Sequence, residues 1–179
     1  MNYFALSIKS GMNEYYEILE KSLDTLTNDD MKWKPNPHSN NIIFLLWHMA
    51  VIEDNLINKV LKKTERIWIA SKYYKKYPEL RNELGFGFSQ KQIDLFPNIE
   101  FEWLSVYSSV VKQNTHDLLN KITDKDLSLE YDFFQRKVSG FFVLGRLITE
   151  LNQHLGQVSY IRGMIRGLNK WVLMKGKNT

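Results

Sequence analysis

In ELNQHLGQVSYIRGMIRG, residues 150 to 167, a glutamate and a histidine stand four residues apart. Helical residues at that spacing lie one above the other on a single face. With Leu147 set at zero on a helical wheel, Leu151, Val158, Ile161 and Ile165 fall within about 40° of it, His154 at about −20° and Glu150 at about −60°. His154 therefore lies inside an apolar stripe and Glu150 at its edge. A second anomaly sits in FLLWHMAVIEDN, where His48 shares a face with Phe44, Leu45, Val51 and Ile52, and Asn55, seven residues on, returns to that face. An imidazole in such a place needs a partner or must stay neutral.

Two imidazoles and one carboxylate are a ligand set for one divalent ion. Neutral imidazole binds zinc, nickel or iron through one ring nitrogen, and the carboxylate supplies charge. Three protein ligands leave a coordination position open, as in catalytic sites. The metal candidates are thus His48, Glu150 and His154. The same pattern also fits hydrogen-bonded core histidines, with Glu150 reaching water or pairing with Arg146, its i−4 neighbour. Asn55 and Gln157 are candidates for supporting the ligands or meeting a bound cofactor or substrate, or are polar residues at a bundle edge. Arg162 and Arg166 fit an anionic substrate or ordinary helix-end charge. His38, between Pro37 and Ser39, lies in a loop, and His116, in QNTHDLL, is expected to face solvent.

Other chemistries lack support. The chain has no cysteine, which excludes a protein thiol nucleophile and any disulfide. There is no G-x-S-x-G, no phosphate-cradling glycine loop followed by lysine, and no H-E-x-x-H. No catalytic acid or base can be assigned.

The elements that must position these residues are helical. Apolar spacing predicts long helices over 2–27, about 41–61, 99–122 and 141–167. TNDDMKWKPNPHSNN is a loop, with Ser39 or Asn40 capping the second helix. The stretch 62–97 is long and irregular, with Ser89 capping a short helix through Phe96, and a connection of that length folds back over the body or forms a lid. LSLEYDFF offers a brief extended piece. The expectation is an all-α four-helix bundle with long connections, a single domain spanning 1–179. With 44% hydrophobic and 25% charged residues in 179, a substantial core is available and extensive disorder is not expected. The net charge of +4 gathers in KYYKKY, residues 72 to 77, and in the tail from Arg162 to Lys177. It carries no recognition motif, so a solvated surface with lysine stems over aromatics is expected, not a nucleic-acid interface. The longest apolar run, IIFLLWHMAVI, is too short to span a membrane, and the N-terminus does not read as a signal peptide. A soluble, cytoplasmic protein is expected.

Taken together, NNIIFLLWHMAVIEDN and ELNQHLGQVSYIRGMIRG resemble the two histidine motifs of the DinB/YfiT-like superfamily. The second shows that family's H-L-G-Q and Y-x-R-G, and the middle segments IWIASKYYKKY and LGFGFSQKQI are similar as well. The resemblance implies a bundle of up-down-down-up order, usually dimeric. It also implies a divalent metal, zinc or nickel, held by three histidines. Here two of those positions are His48 and His154, and the third is Glu150, as in mycothiol-dependent maleylpyruvate isomerase. It further implies a metal-dependent thiol S-transferase using a low-molecular-weight thiol such as bacillithiol or mycothiol, or a hydrolase, acting on a small-molecule substrate. The alternative is a non-catalytic, dimeric stress-related or binding protein with the same bundle.

Overall fold

The computed structural model describes residues 2–167. In chain order these form α1 (Tyr3–Leu23), the short α2 (Asn28–Lys32) and α3 (Ile42–Asp54), which passes into π-helical turns at Asn55–Leu61. Then come α4 (Ile67–Ala70), two 3-10 turns (Tyr73–Lys76 and Pro78–Leu80), α5 (Gln90–Asp94) and α6 (Phe101–Lys121). The short α7 (Asp124–Ser128), a hairpin of β1 (Glu130–Phe133) and β2 (Arg136–Ser139), and α8 (Gly140–Arg166) complete it. The fold is all-α but for that hairpin.

Cross-helix contacts give the bundle its directions. Phe4 meets Phe141 at the starts of α1 and α8, Gly11 lies against Ile148 midway, and the Ser22 and Ser159 hydroxyls are 3.2 Å apart near the ends. These two helices are parallel. α6 runs against α1, since Lys9 donates to Asn120 at 2.6 Å while Lys112 covers the Tyr16 ring. α3 and its π-helical extension run with α6, with Tyr107 donating to Asp54 at 2.8 Å and Lys62 to Asn114 at 2.9 Å. The order is therefore up-down-down-up.

α3 is the innermost helix, with every residue from Ile42 to Asp54 buried. A helix apolar on all sides loses the most free energy by exposure, so α6, α8 and the long connection close around it. Packing thereby carries His48, Glu53 and Asp54 into the core. Asp54 is satisfied in full: it accepts the backbone N–H groups of Ile67 and Trp68 and the Asn58 amide at 2.9 Å, as well as the Tyr107 hydroxyl. It thus caps α4 from another element and folds the connection back over the bundle.

Several local expectations need correction. Asn41, and neither Ser39 nor Asn40, caps α3, its side chain accepting from the Phe44 N–H at 2.9 Å. The second helix is not α-helical to Leu61, because its last turns widen to π where the Asn58 amide bonds back to Asp54. LSLEYDFF does hold a strand, but its partner β2 had no sequence signal. The two-residue link is Phe134–Gln135, and Phe134 takes φ 52° where an Asn or Gly would have announced the turn. His116 is half-buried, its ring 5.6 Å from that of Tyr16 across the bundle, and not turned to solvent. In KYYKKY, Tyr73 packs on Trp103 and Tyr107, and Lys76 pairs with Glu100 at 2.6 Å. The basic tail beyond Gly167 lies outside the described residues. Among the described residues no helix is long and apolar enough to cross a membrane.

Candidate metal centre

α8 delivers Glu150 and His154 from successive turns of one face, and α3 delivers His48 from the opposing helix. Their ligand atoms all lie within 4.8 Å of one another. Glu150 is at the centre: its Oε1 is 3.3 Å from His48 Nε2 and 3.2 Å from His154 Nε2. Only 2% of Glu150 is exposed, and His48 is almost as deep at 3%. On the wheel Glu150 was an edge residue; α3 packing against α8 turns that edge into the interior.

The outer nitrogens determine what the inner ones can offer. His48 Nδ1 is 2.6 Å from the Leu84 carbonyl, and His154 Nδ1 is 3.3 Å from Gln157 Oε1. A carbonyl oxygen only accepts, so Nδ1 of His48 must carry the proton, and the Gln157 amide, with its oxygen toward the ring, favours the same tautomer of His154. In the neutral rings each Nε2 is then a bare lone pair aimed at a carboxylate oxygen. Two acceptors facing a third at 3.2–3.3 Å repel unless a cation or proton lies among them. Burial pushes the His48 pKa down and outweighs the Leu84 carbonyl, which raises it, so an imidazolium is disfavoured there. Ligand atoms about 2.0–2.1 Å from a tetrahedral zinc stand about 3.3 Å apart. The donor set therefore fits a divalent ion in atom type and in the two histidine–glutamate spacings.

The long connection holds His48 in this orientation. Arg66, buried, donates to the Glu83 carbonyl at 3.1 Å and the Arg81 carbonyl at 3.0 Å, and Trp68 Nε1 donates to the Leu80 carbonyl at 3.2 Å. These bonds fix 80–84 and so place the Leu84 carbonyl. Gly85 follows with φ 83°, and a Cβ on it would lie 2.7 Å from His48 Nδ1. Only glycine tolerates both that backbone and that approach. Nothing in the sequence marks Gly85 as close to the site, since 37 positions separate it from His48.

The sequence profile of the DinB superfamily matches residues 14–158. The chain belongs to the DinB superfamily. A crystal structure of a conserved protein from Enterococcus faecalis is similar to it, with a TM-score of 0.80 at 23% identity, covering 94% of this chain and 99% of that one. At that identity the likeness speaks to fold. No curated protein matches the chain.

In this DinB bundle the triad opens onto a cavity of about 420 Å³. Phe86 lines it with its ring perpendicular to that of His48 at 5.2 Å, and Phe44 stacks parallel to that imidazole at 6.0 Å. Arg146 lines the cavity and forms an ion pair with Glu150 Oε2, so the Arg146 pairing and the burial of Glu150 hold together. His38, weak in the sequence, reaches the cavity wall, its ring 3.3 Å from Gln90. Gln157 touches His154 and lines an adjoining space of about 660 Å³. Asn55 does not line the triad cavity; it is half-buried at the junction where α3 becomes π-helical. Arg166 is bound to Asp30 and to the Thr25 carbonyl, tying α8 to α2 rather than facing the triad.

Proposed function

We propose that the protein is a metal-dependent enzyme acting on a small molecule, as a thiol-dependent S-transferase or as a hydrolase. The observation that carries this reading is the pair of imidazole lone pairs converging on Glu150 Oε1 beside a cavity large enough for a small substrate. His48, Glu150 and His154 would hold zinc or nickel. A bound divalent ion supplies Lewis acidity, favouring the deprotonated form of a thiol or of water beside it. The Leu84 carbonyl and Gln157 hold the two rings, and Phe44 and Phe86 keep water from the His48 side. Because the chain has no cysteine, a reacting sulfur would come from a cofactor such as bacillithiol. Gln157, from the adjoining space, is the chain's candidate for contacting it.

The test is elemental analysis of purified protein, dialysed with excess zinc or nickel and then against buffer. About one ion per chain is expected, and His154→Ala should lose most of it with helicity unchanged. The Arg146–Glu150 ion pair favours a second reading, a non-catalytic binding protein in which arginine already neutralises the carboxylate. Absence of stoichiometric metal in the native chain would select that reading. We also propose a homodimer, on the bundle's family resemblance. Light scattering that returned the single-chain mass of 21.2 kDa at all micromolar concentrations would exclude it.

A further inference from the structure

α3 turns a second buried acid in another direction. Glu53 follows His48 by five residues, about 140° round the helix, and faces α1 and α6 with 4% of its surface exposed. Its Oε1 accepts from the Tyr16 hydroxyl and from the Thr115 hydroxyl at 2.5 Å. Its Oε2 carries no hydrogen bond and no ion pair among the described residues, although the Lys112 charge acts on the carboxyl through space. Glu53 forms part of the wall of a cavity of about 370 Å³ between the three helices. That volume is in the range of small-molecule sites, roughly 300–1,000 Å³. Leu19, Leu23, Leu46, Met49, Phe101 and Leu104 form the apolar part of the wall, and Glu20 with three α6 serines, Ser108 among them, adds a polar part.

The chemistry of this wall selects the occupant. An apolar body satisfies the leucines, Met49 and Phe101. A carboxylate ligand would set like charge against Glu53, and a purely apolar one would leave Oε2 dry and unbonded. The one lysine in the wall, Lys112, stands over the Tyr16 ring at 4.5 Å and makes no ion pair with Glu53. A ligand ammonium brings the missing donor and puts a cation in direct contact with the carboxylate, which Lys112 from its place over the Tyr16 ring does not. We propose that this cavity binds a small apolar molecule bearing a primary amine, whose ammonium donates to Glu53 Oε2. The site is separate from the His48–Glu150–His154 centre and does not depend on its metal.

The titration of Glu53 supports this. Burial holds its carboxyl up at about 7. The groups facing it are Tyr15 and Tyr16 from α1, Tyr107 and Lys112 from α6 and Asp54 on its own helix, and the three tyrosines are raised, chiefly by burial, and remain neutral. Ammonium binding therefore expels the Glu53 proton, and affinity should rise with pH from about 6 to 8.

The experiment titrates the full chain with hexylamine, hexanol and hexanoate, read by amide chemical shifts in heteronuclear NMR. Hexylamine should give saturable shifts clustered at Met49, Glu53 and Ser108, with hexanol and hexanoate at least about tenfold weaker. Glu53→Gln keeps an acceptor for Tyr16 and Thr115, so the fold should persist while hexylamine weakens about tenfold or more. Ser108→Phe fills the cavity from α6 and should remove the cluster with Glu53 intact. Equal affinity for the alcohol, unchanged hexylamine binding by Glu53→Gln, or no saturable shift at the cavity would each overturn the proposal.

Discussion

Glu150 is held by two histidines on one oxygen and an arginine on the other. As a metal ligand it contributes to stability chiefly when the ion is present, because an ion that binds only the folded chain stabilises it by linkage. Each tenfold loss of metal affinity narrows the gap between holo and apo stability by about 1.4 kcal/mol at saturating ion. Glu150→Gln is therefore expected to narrow that gap by at least this much, measured by thermal unfolding with zinc and with chelator. An unchanged gap would remove Glu150 from the ligand set. Gly85 provides a second test. Gly85→Ala forces a Cβ toward His48 Nδ1 on a left-handed backbone, whereas Gly87, at φ 64°, has nothing within 4 Å of such a Cβ. Both alanines should incur strain on the order of 1–2 kcal/mol. Only Gly85→Ala should also weaken metal binding, by displacing the His48 ring. Equal metal titrations for the two variants would show that the loop does not orient His48.

At the scale of elements, Asp54 joins what the His48 orientation depends on. It caps α4 across the bundle, and α4 leads to the Arg66 and Trp68 bonds that place the Leu84 carbonyl. Removing a buried carboxylate that satisfies four donors leaves those donors unpaired. Asp54→Ala should cost about 3 kcal/mol or more, and the Ile67 and Trp68 amides should lose exchange protection before the core of α3 does. If those two amides stayed as protected as in the native chain, the cap would be redundant. Little of this was legible in the sequence. The E-D pair after the histidine motif is visible at 53 and 54, but its two members face different neighbours and do different work. Which neighbours they meet is settled by the long connection, whose course no periodicity encodes.

For the whole molecule, the buried Glu53 imposes a pH dependence. In the folded chain burial keeps its carboxyl protonated up to about 7, while the unfolded chain releases the proton near the ordinary carboxylate value. Between these values the folded state binds more protons, so stability falls as pH rises from about 4.5 to 7 and is level above that. The loss attributable to this group is on the order of 3 kcal/mol. Glu53→Gln should flatten the change, with urea midpoints measured at pH 5 and pH 7.5 for both proteins. Parallel profiles in native and variant would mean that another group carries the dependence.

By itself the sequence determined the number of long helices, their apolar faces, and the placing of Glu150 and His154 on one stripe, because a 3.6-residue repeat is written locally. His48 stood out for the same reason, as a polar group in an unbroken apolar run. Tertiary structure decided the rest. It brought α3 against α8 so that Glu150 turned inward, put the Leu84 carbonyl on His48 and the Asp54 carboxylate on α4, and opened the cavity at Glu53. It also selected the π-helical turns after Asp54 and the left-handed Phe134 between the strands. These features rest on contacts between residues far apart in the chain, or on backbone states that their own side chains do not favour. The packing of the bundle imposes them, and no local pattern announces them.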